Sequence, residues 1–306
     1  KELFLIMKTY VGIDLGGTNV RVAKVTAEGE VLYQEKSPSY GQEGPEKVMA
    51  NLFSMIGRVP GLKDCSGIGI GVPGPCDTVK NVMLMSSNLP GFTGYPIAAA
   101  IEAEFGIPTF IDNDANVAGL AEALVGAGKG LPIVYYVTIS TGIGGALVVD
   151  GKLVSGAVGH AGEIANIIID KNRKKINHLN AGAVECEASG TAVTRKGKET
   201  MPELNITHAG QVFDLADNGN EQAKAIVDGV VEDLATMFSV IAHVVDPHCF
   251  VIGGGMLKSA DSFLPQTEVR FKELIHAPMR TVKFVTAKLD EPGIIGAAML
   301  PVSHGL

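Results

Sequence analysis

The chain has 306 residues, enough for about two domains, and 46% of them are apolar, enough for two cores. A net charge of -8 with no basic run argues against nucleic acid or an anionic membrane as partner. The four cysteines, Cys65, Cys76, Cys186 and Cys249, are scattered without a Cys-x-x-Cys pair and read as reduced thiols of a cytoplasmic protein. No stretch is apolar for long enough to span a bilayer. Residues 1–6 are too short for a signal peptide, so Met7 is read as the native start.

Residues 10–14 read as a buried strand and residues 20–25 as its alternating neighbour. Between them, Leu15-Gly16-Gly17-Thr18-Asn19 forms a hairpin turn, where glycine supplies the backbone freedom required. Such a turn is either an ordinary hairpin or a place where backbone N–H groups approach a phosphate. In the second case Asp14, at the strand end, faces that phosphate's metal ion. A dinucleotide-type G-x-G-x-x-G is excluded, because a strand follows rather than a helix. A third strand is predicted over 31–35 and an amphipathic helix over 45–56 with Pro45 in its first turn. An apolar strand over 67–72 stops at Pro73-Gly74-Pro75, a loop occupies 88–92, and a helix over 95–105 ends at Gly106.

Phe110-Ile111-Asp112 is a short strand that runs through Asn113-Asp114-Ala115-Asn116 into an Ala-rich helix over 117–125. Asp114 falls at the junction, where a carboxylate can cap the helix or serve as a base held at a fixed position. The second half opens as the first did, with a strand over 132–139, the turn Ser140-Thr141-Gly142-Ile143-Gly144-Gly145, and strands over 146–149 and 152–154. Two such openings predict two similar domains in a mixed α/β fold, each offering one phosphate-contacting turn. Helices follow over 190–200, 208–217 and 221–245. A strand over 250–252 enters Gly253-Gly254-Gly255, which is either a tight turn or a seat for a flat ring or phosphate. A helix over 259–275, a strand over 282–287 and a helix over 294–300 complete the chain, the last with Gly and Ala positions suited to a crossing between domains.

These motifs, taken in order, resemble the ROK family of bacterial sugar kinases and sugar-responsive repressors. The residues that carry the resemblance are Asp14-Leu15-Gly16-Gly17-Thr18-Asn19, Gly71-Val72-Pro73-Gly74-Pro75, Asn88-Leu89-Pro90-Gly91-Phe92 and Asn113-Asp114-Ala115-Asn116. Thr141-Gly142-Ile143-Gly144-Gly145, Ala161-Gly162-Glu163, Ala188-Ser189-Gly190-Thr191-Ala192 and Gly253-Gly254-Gly255 continue it. The resemblance implies an actin-like ATPase fold of two ribonuclease-H-like domains with a central cleft, dividing at 7–115 (plus 291–306) and 116–290. It implies Asp114 as catalytic base and Asn88, Asn113, Glu163, Asn166 and Glu185 as sugar ligands. The turns at Gly16, Gly17, Thr18, Asn19 and at Thr141, Gly142 would cradle ATP phosphates. Asp14 would support Mg²⁺, and Gly253, Gly254 and Gly255 would lie against the adenosine.

The chain departs from the family pattern where Glu-x-Gly-His and a Cys-rich zinc loop are usual. It has Glu163-Ile164-Ala165-Asn166 and then Ile176-Asn177-His178-Leu179-Asn180-Ala181-Gly182-Ala183. No structural zinc is expected. The run Ile167-Ile168-Ile169 is expected to pack as a strand, and Ile176 and Leu179 to bury in place of metal ligands. His160 reads as a loop histidine or a substitute sugar contact. The expectation is a cytoplasmic, homodimeric hexose kinase using ATP and Mg²⁺, with glucose to glucose 6-phosphate leading. The alternatives are an N-acetylhexosamine kinase (N-acetylmannosamine or N-acetylglucosamine) or a non-catalytic sugar sensor.

Overall fold

The computed structural model of the protein describes residues 8–306, so the reading of Met7 as the start lies outside them. The chain opens with an antiparallel meander, β1 (Thr9–Leu15), β2 (Asn19–Thr26) and β3 (Val31–Pro38). It continues through α1 (Pro45–Gly57), β4 (Ile68–Val72), a small hairpin of β5 (Cys76–Asp77) and β6 (Val82–Met83), α2 (Ile97–Phe105), β7 (Thr109–Asn113) and α3 (Asp114–Leu124). The sheet order is β3-β2-β1-β4-β7, with β4 parallel to both β1 and β7. β1 and β4 are apolar along almost their whole length because both faces are covered. On one face lie Leu52, Met55 and Ile56 of α1 with Ile97 and Ile101 of α2. The edge strand β3 instead alternates exposed and half-buried residues.

The remaining elements are β8 (Ile133–Ile139), β9 (Ile143–Val149), β10 (Lys152–Leu153), α4 (Val184–Ala188), α5 (Gly190–Thr200), α6 (Ala209–Asp217) and α7 (Glu221–Val245). After them come β11 (Cys249–Gly253), α8 (Ala260–Leu274), β12 (Lys283–Thr286) and α9 (Pro292–Ser303). The second sheet has the order β10-β9-β8-β11-β12, with β11 parallel to β8 and β12. The long helix α7 buries a stripe that includes Ile226, Val230, Leu234, Phe238 and Ile241, at the spacing of one helical face. Phe238 meets Phe250 and Phe284 edge-on, each with ring centroids 4.9 Å apart, a favoured aromatic geometry.

The chain forms two compact units. The first runs to Pro132 and includes Ala146–Gly162 and Lys288–Leu306, and the second comprises Ile133–Gly145 and Glu163–Ala287. These divisions differ from the expected ones at 115/116 and 290/291. The reason is that α3 packs along α9 within the first unit: a side chain at Gly296 would collide with the Val117 carbonyl. Gly69 of β4 is equally close to the backbone of Ala297, so the small residues of α9 serve packing inside this unit rather than a crossing. Glu122 of α3 is fully buried and accepts N–H bonds from Ala127, Lys288 and Leu289 at 2.8–2.9 Å.

The 163–183 segment also departs from expectation. Its isoleucine run makes one isolated bridge, Ile168 to Ala183, instead of a strand. Ile168 and Ile176 are exposed and Leu179 is half-buried, so apolar burial is confined to the two ends of this segment, at Ile164 and Ala183.

Candidate active site

In the first unit, the β1–β2 turn closes with the Gly16 N–H donating to the Asn19 carbonyl at 2.9 Å. Gly17 packs so closely on the backbone of Asn88 that a Cβ there would lie 2.8 Å from its carbonyl oxygen, which only glycine permits. The two loops named by the sequence, 16–19 and 88–92, are therefore in contact, and Asn88 is exposed. Asp14 sits at the end of β1 with Arg21 Nε 3.9 Å away, while Arg21 Nη1 donates to Glu291 Oε1 at 2.6 Å. Burial pushes the Asp14 carboxyl above its usual range, Arg21 draws it back, and the Glu291 charge adds to the rise.

The β7–α3 junction places three adjacent polar residues in three different settings. Asn113 has an extended backbone and is the N-cap: its Oδ1 accepts from the N–H groups of Ala115 and Asn116 at 2.8 and 3.2 Å. Its Nδ2 donates to the Gly74 carbonyl at 3.3 Å, so the expected sugar ligand has a structural part as well. Asp112 is buried, and its Oδ1 accepts from the Asn113 N–H and from Asn116 Nδ2, both at 2.7 Å. Burial raises its carboxyl above the ordinary value, against the pull of those bonds. Asp114, in contrast, is the first helical residue and is exposed; its Oδ1 accepts from the Ala115 N–H at 2.8 Å. Of the two readings open in the sequence, the cap belongs to Asn113 and not to Asp114. Periodicity could not make that distinction, because Asn and Asp cap equally well and the backbone angle decides.

In the second unit, the turn after β8 is tied at both ends. The Ser140 N–H donates to the Gly142 carbonyl at 2.8 Å, and the Gly190 N–H at the start of α5 donates to the Ser140 carbonyl at 2.7 Å. Glu185 of α4 accepts from the Ile143 N–H through Oε2 at 2.9 Å, and it fills the space that a side chain at Gly142 would need. One oxygen of this expected sugar ligand thus braces the 140–143 turn. Glu163 and Asn166 are exposed, at the start and end of a 3₁₀ turn, and Asn166 Oδ1 accepts from the Asn180 N–H at 2.8 Å. His160, in the first unit, is exposed with Nδ1 2.8 Å from its neighbour Val158's carbonyl oxygen, as a loop histidine would be.

A cavity of about 1030 Å³ opens in the second unit beside that turn. Ser140, Thr141, Gly190 and Thr191 form one side, buried Phe213 and Met256 supply apolar surface, and the charged lining is Arg195, Lys198 and Lys258 with Glu199 and Asp214, Arg195 being paired with Glu199 at 3.1 Å. Its size and mixed lining suit a flat aromatic base with an anionic tail. Of the three expected glycines only Gly255 lines it. Gly253 ends β11 against Tyr136, and Gly254 makes the turn at φ 96°. The wall from α5 and α6, including Thr194, His208 and Asp214, was not assigned from sequence. The motif Ala188-Ser189-Gly190-Thr191-Ala192 was its one signal, since Ser189 caps α5 and so sets where Gly190 and Thr191 stand. Among the described residues, no group of three or more His, Cys, Asp or Glu is placed to hold a metal ion.

Comparison with known proteins agrees with this architecture. The chain is 30% identical to the glucokinase of Halalkalibacterium halodurans over 95% of its own length and 94% of that protein's. It is 28% identical to an N-acetylmannosamine kinase of Escherichia coli, over 97% of this chain and 100% of the relative. The solved structure of a ROK family glucokinase from Streptomyces griseus in complex with glucose and AMPPNP superposes with a TM-score of 0.73 at 25% identity, covering 95% of this chain and 98% of that one. The two five-stranded mixed sheets of this chain, with their helices, have the actin-like form that the motifs imply. With the ROK family's own sequence pattern matching residues 10–303, from β1 to the last turn of α9, the chain belongs to the ROK family.

Proposed function

We propose that the protein phosphorylates a hexose hydroxyl with ATP, converting glucose to glucose 6-phosphate. The observation that carries this reading is the cavity beside the Ser140-Thr141-Gly142 turn, whose dimensions and lining fit a nucleoside triphosphate. In this reading Asp114 takes the proton from the attacking sugar hydroxyl, a role worth about 10²–10⁴-fold for a positioned base. Asn88, Asn113, Glu163, Asn166 and Glu185 supply the fixed donors and acceptors that neutral polyols need. The glycine turns at 16–19 and 141–142 offer backbone N–H groups to phosphate oxygens. A half-buried Asp14 beside a Cβ-free turn fits a carboxylate for a nucleotide-bound Mg²⁺, and that ion supplies charge neutralisation on the triphosphate when bound. The protein acts in the cytoplasm, with its four thiols reduced, and as a homodimer.

N-acetylmannosamine is the second candidate substrate, favoured by the similarity to the Escherichia coli kinase. A coupled ADP-release assay across glucose, mannose and the two N-acetylhexosamines tests both. Highest kcat/KM on glucose supports the first reading, and highest kcat/KM on N-acetylmannosamine supports the second. Sugar binding without ADP release from any of them overturns both in favour of a sensor.

A further inference from the structure

The segment from Glu163 to Ala183 carries two of the proposed sugar ligands, yet little regular structure holds it. Its stem closes through the Ile169 N–H to the Gly182 carbonyl and the Val184 N–H to the Ile167 carbonyl, both at 2.9 Å, with the Asn180–Asn166 bond between the two sides. Beyond the stem, residues 174–178 are all exposed. The anchor is Arg173. Its two terminal nitrogens donate to the two carboxylate oxygens of Asp233 at 2.7 Å each, Nη1 lies 3.2 Å from Glu187 Oε2, and Nε lies 3.5 Å from Asp170 Oδ2. Asp233, in the middle of α7, is 3% exposed and Glu187, on α4, is 6% exposed. Lys196 of α5 completes the cluster, 3.0 Å from Glu187 and 3.9 Å from Asp233.

A buried carboxylate has to be paired, and a two-pronged guanidinium fixes direction as well as charge. Arg173 is therefore held in one orientation by groups on two helices, and the loop backbone goes with it. The same cluster includes α4, whose Glu185 braces the phosphate turn, and α5, whose first turn lines the cavity. We infer that Arg173 is a positioning residue for sugar binding: clamped on Asp233 and Glu187, it fixes the loop that presents Glu163 and Asn166. This rests on the proposed reading of that loop as sugar-contacting.

The test uses Arg173→Met, Arg173→Lys and the double variant Arg173→Met with Asp233→Asn, in which no buried charge on Asp233 is left behind. Two readouts are taken: amide hydrogen exchange over residues 163–184, which needs no substrate, and steady-state kinetics with glucose and ATP. In Arg173→Met, exchange at Ile169, Asn180 and Val184 should speed up and the sugar KM should rise roughly tenfold or more, as displaced binding groups do. The ATP KM and kcat should stay within about threefold, because Lys196 of α5 still pairs with Glu187 of α4 and keeps both helices in place beside the cavity. Lysine should recover part of the loss, since it restores charge but not the fork. If Arg173→Met does not fold, the lysine and double variants carry the same comparison. Unchanged exchange would overturn the anchoring role. Faster exchange with an unchanged sugar KM would instead show that the loop does not grip the sugar.

Discussion

Because the cap of α3 is Asn113, the proposed role of Asp114 as base is testable by a near-isosteric change. Asp114→Asn removes a carboxylate without removing the cap. We expect an unchanged melting temperature and unchanged sugar affinity, with kcat lower by about 10²–10⁴-fold. A kcat within a few-fold of the parent would take Asp114 out of the chemistry. Asp14 gives a second test at this scale, through pH. Its carboxyl titrates above the ordinary value, chiefly from burial, with Glu291 contributing in the same direction and Arg21 opposing. Glu291→Gln removes the like charge and leaves Arg21 to act on Asp14 alone, so Asp14 should ionise at lower pH. If ionised Asp14 is needed for turnover, the acid limb of kcat/KM moves to lower pH in this variant. A limb that stays in place or moves up would separate Asp14 from that step.

Among the elements, α5, at 190–200, and α7, at 221–245, were legible to the residue, since caps and long amphipathic periods mark both. Strands differed by one to three residues at their ends, most at the end of β3 and the start of β9, where pairing rather than side-chain pattern decides. What the sequence hid were short elements and long-range ties. The five-residue α4 is too brief to show a period, yet it carries both Glu185 and Glu187. The Arg173 cluster joins residues 60 positions apart, and no local pattern announces it. For the same reason Ile176 was expected to bury and does not, because a polar anchor does the holding. Glu122 is a further tie of this kind, with three backbone donors converging on one buried carboxylate. A buried donor left without an acceptor costs about 1–3 kcal/mol, so Glu122→Ala should lower unfolding stability by about 3 kcal/mol or more. Glu122→Gln, which keeps one acceptor oxygen, should lose less. Denaturant melts of the two variants check the order, and a loss under about 1 kcal/mol for alanine would mean that water replaces the carboxylate.

For the molecule as a whole, the internal repetition was the most legible feature: β3-β2-β1-β4-β7 and β10-β9-β8-β11-β12 place corresponding strands in corresponding positions. The metal content is the property in which this chain should depart from the wider pattern its motifs resemble. A structural zinc site takes four ligands in tetrahedral array, drawn from Cys, His and carboxylate. Here the four cysteines are buried, and His178 is exposed. Cys186 Sγ contacts Asn177 Oδ1 at 3.2 Å, and the loop that could have held a metal is fastened by Arg173 to Asp233 instead. Two roles for metal can then be told apart by one chelator. EDTA should leave the melting temperature of the protein alone unchanged, because no fold-bearing ion is removed. The same EDTA should abolish turnover, because the nucleotide is used as its Mg²⁺ complex, and added Mg²⁺ should restore it fully. Elemental analysis of the purified protein should find zinc far below one per chain. Zinc at about one per chain, together with a chelator-dependent fall in melting temperature, would mean that ligands come together in the 163–183 segment in a way that the Arg173 anchor does not explain.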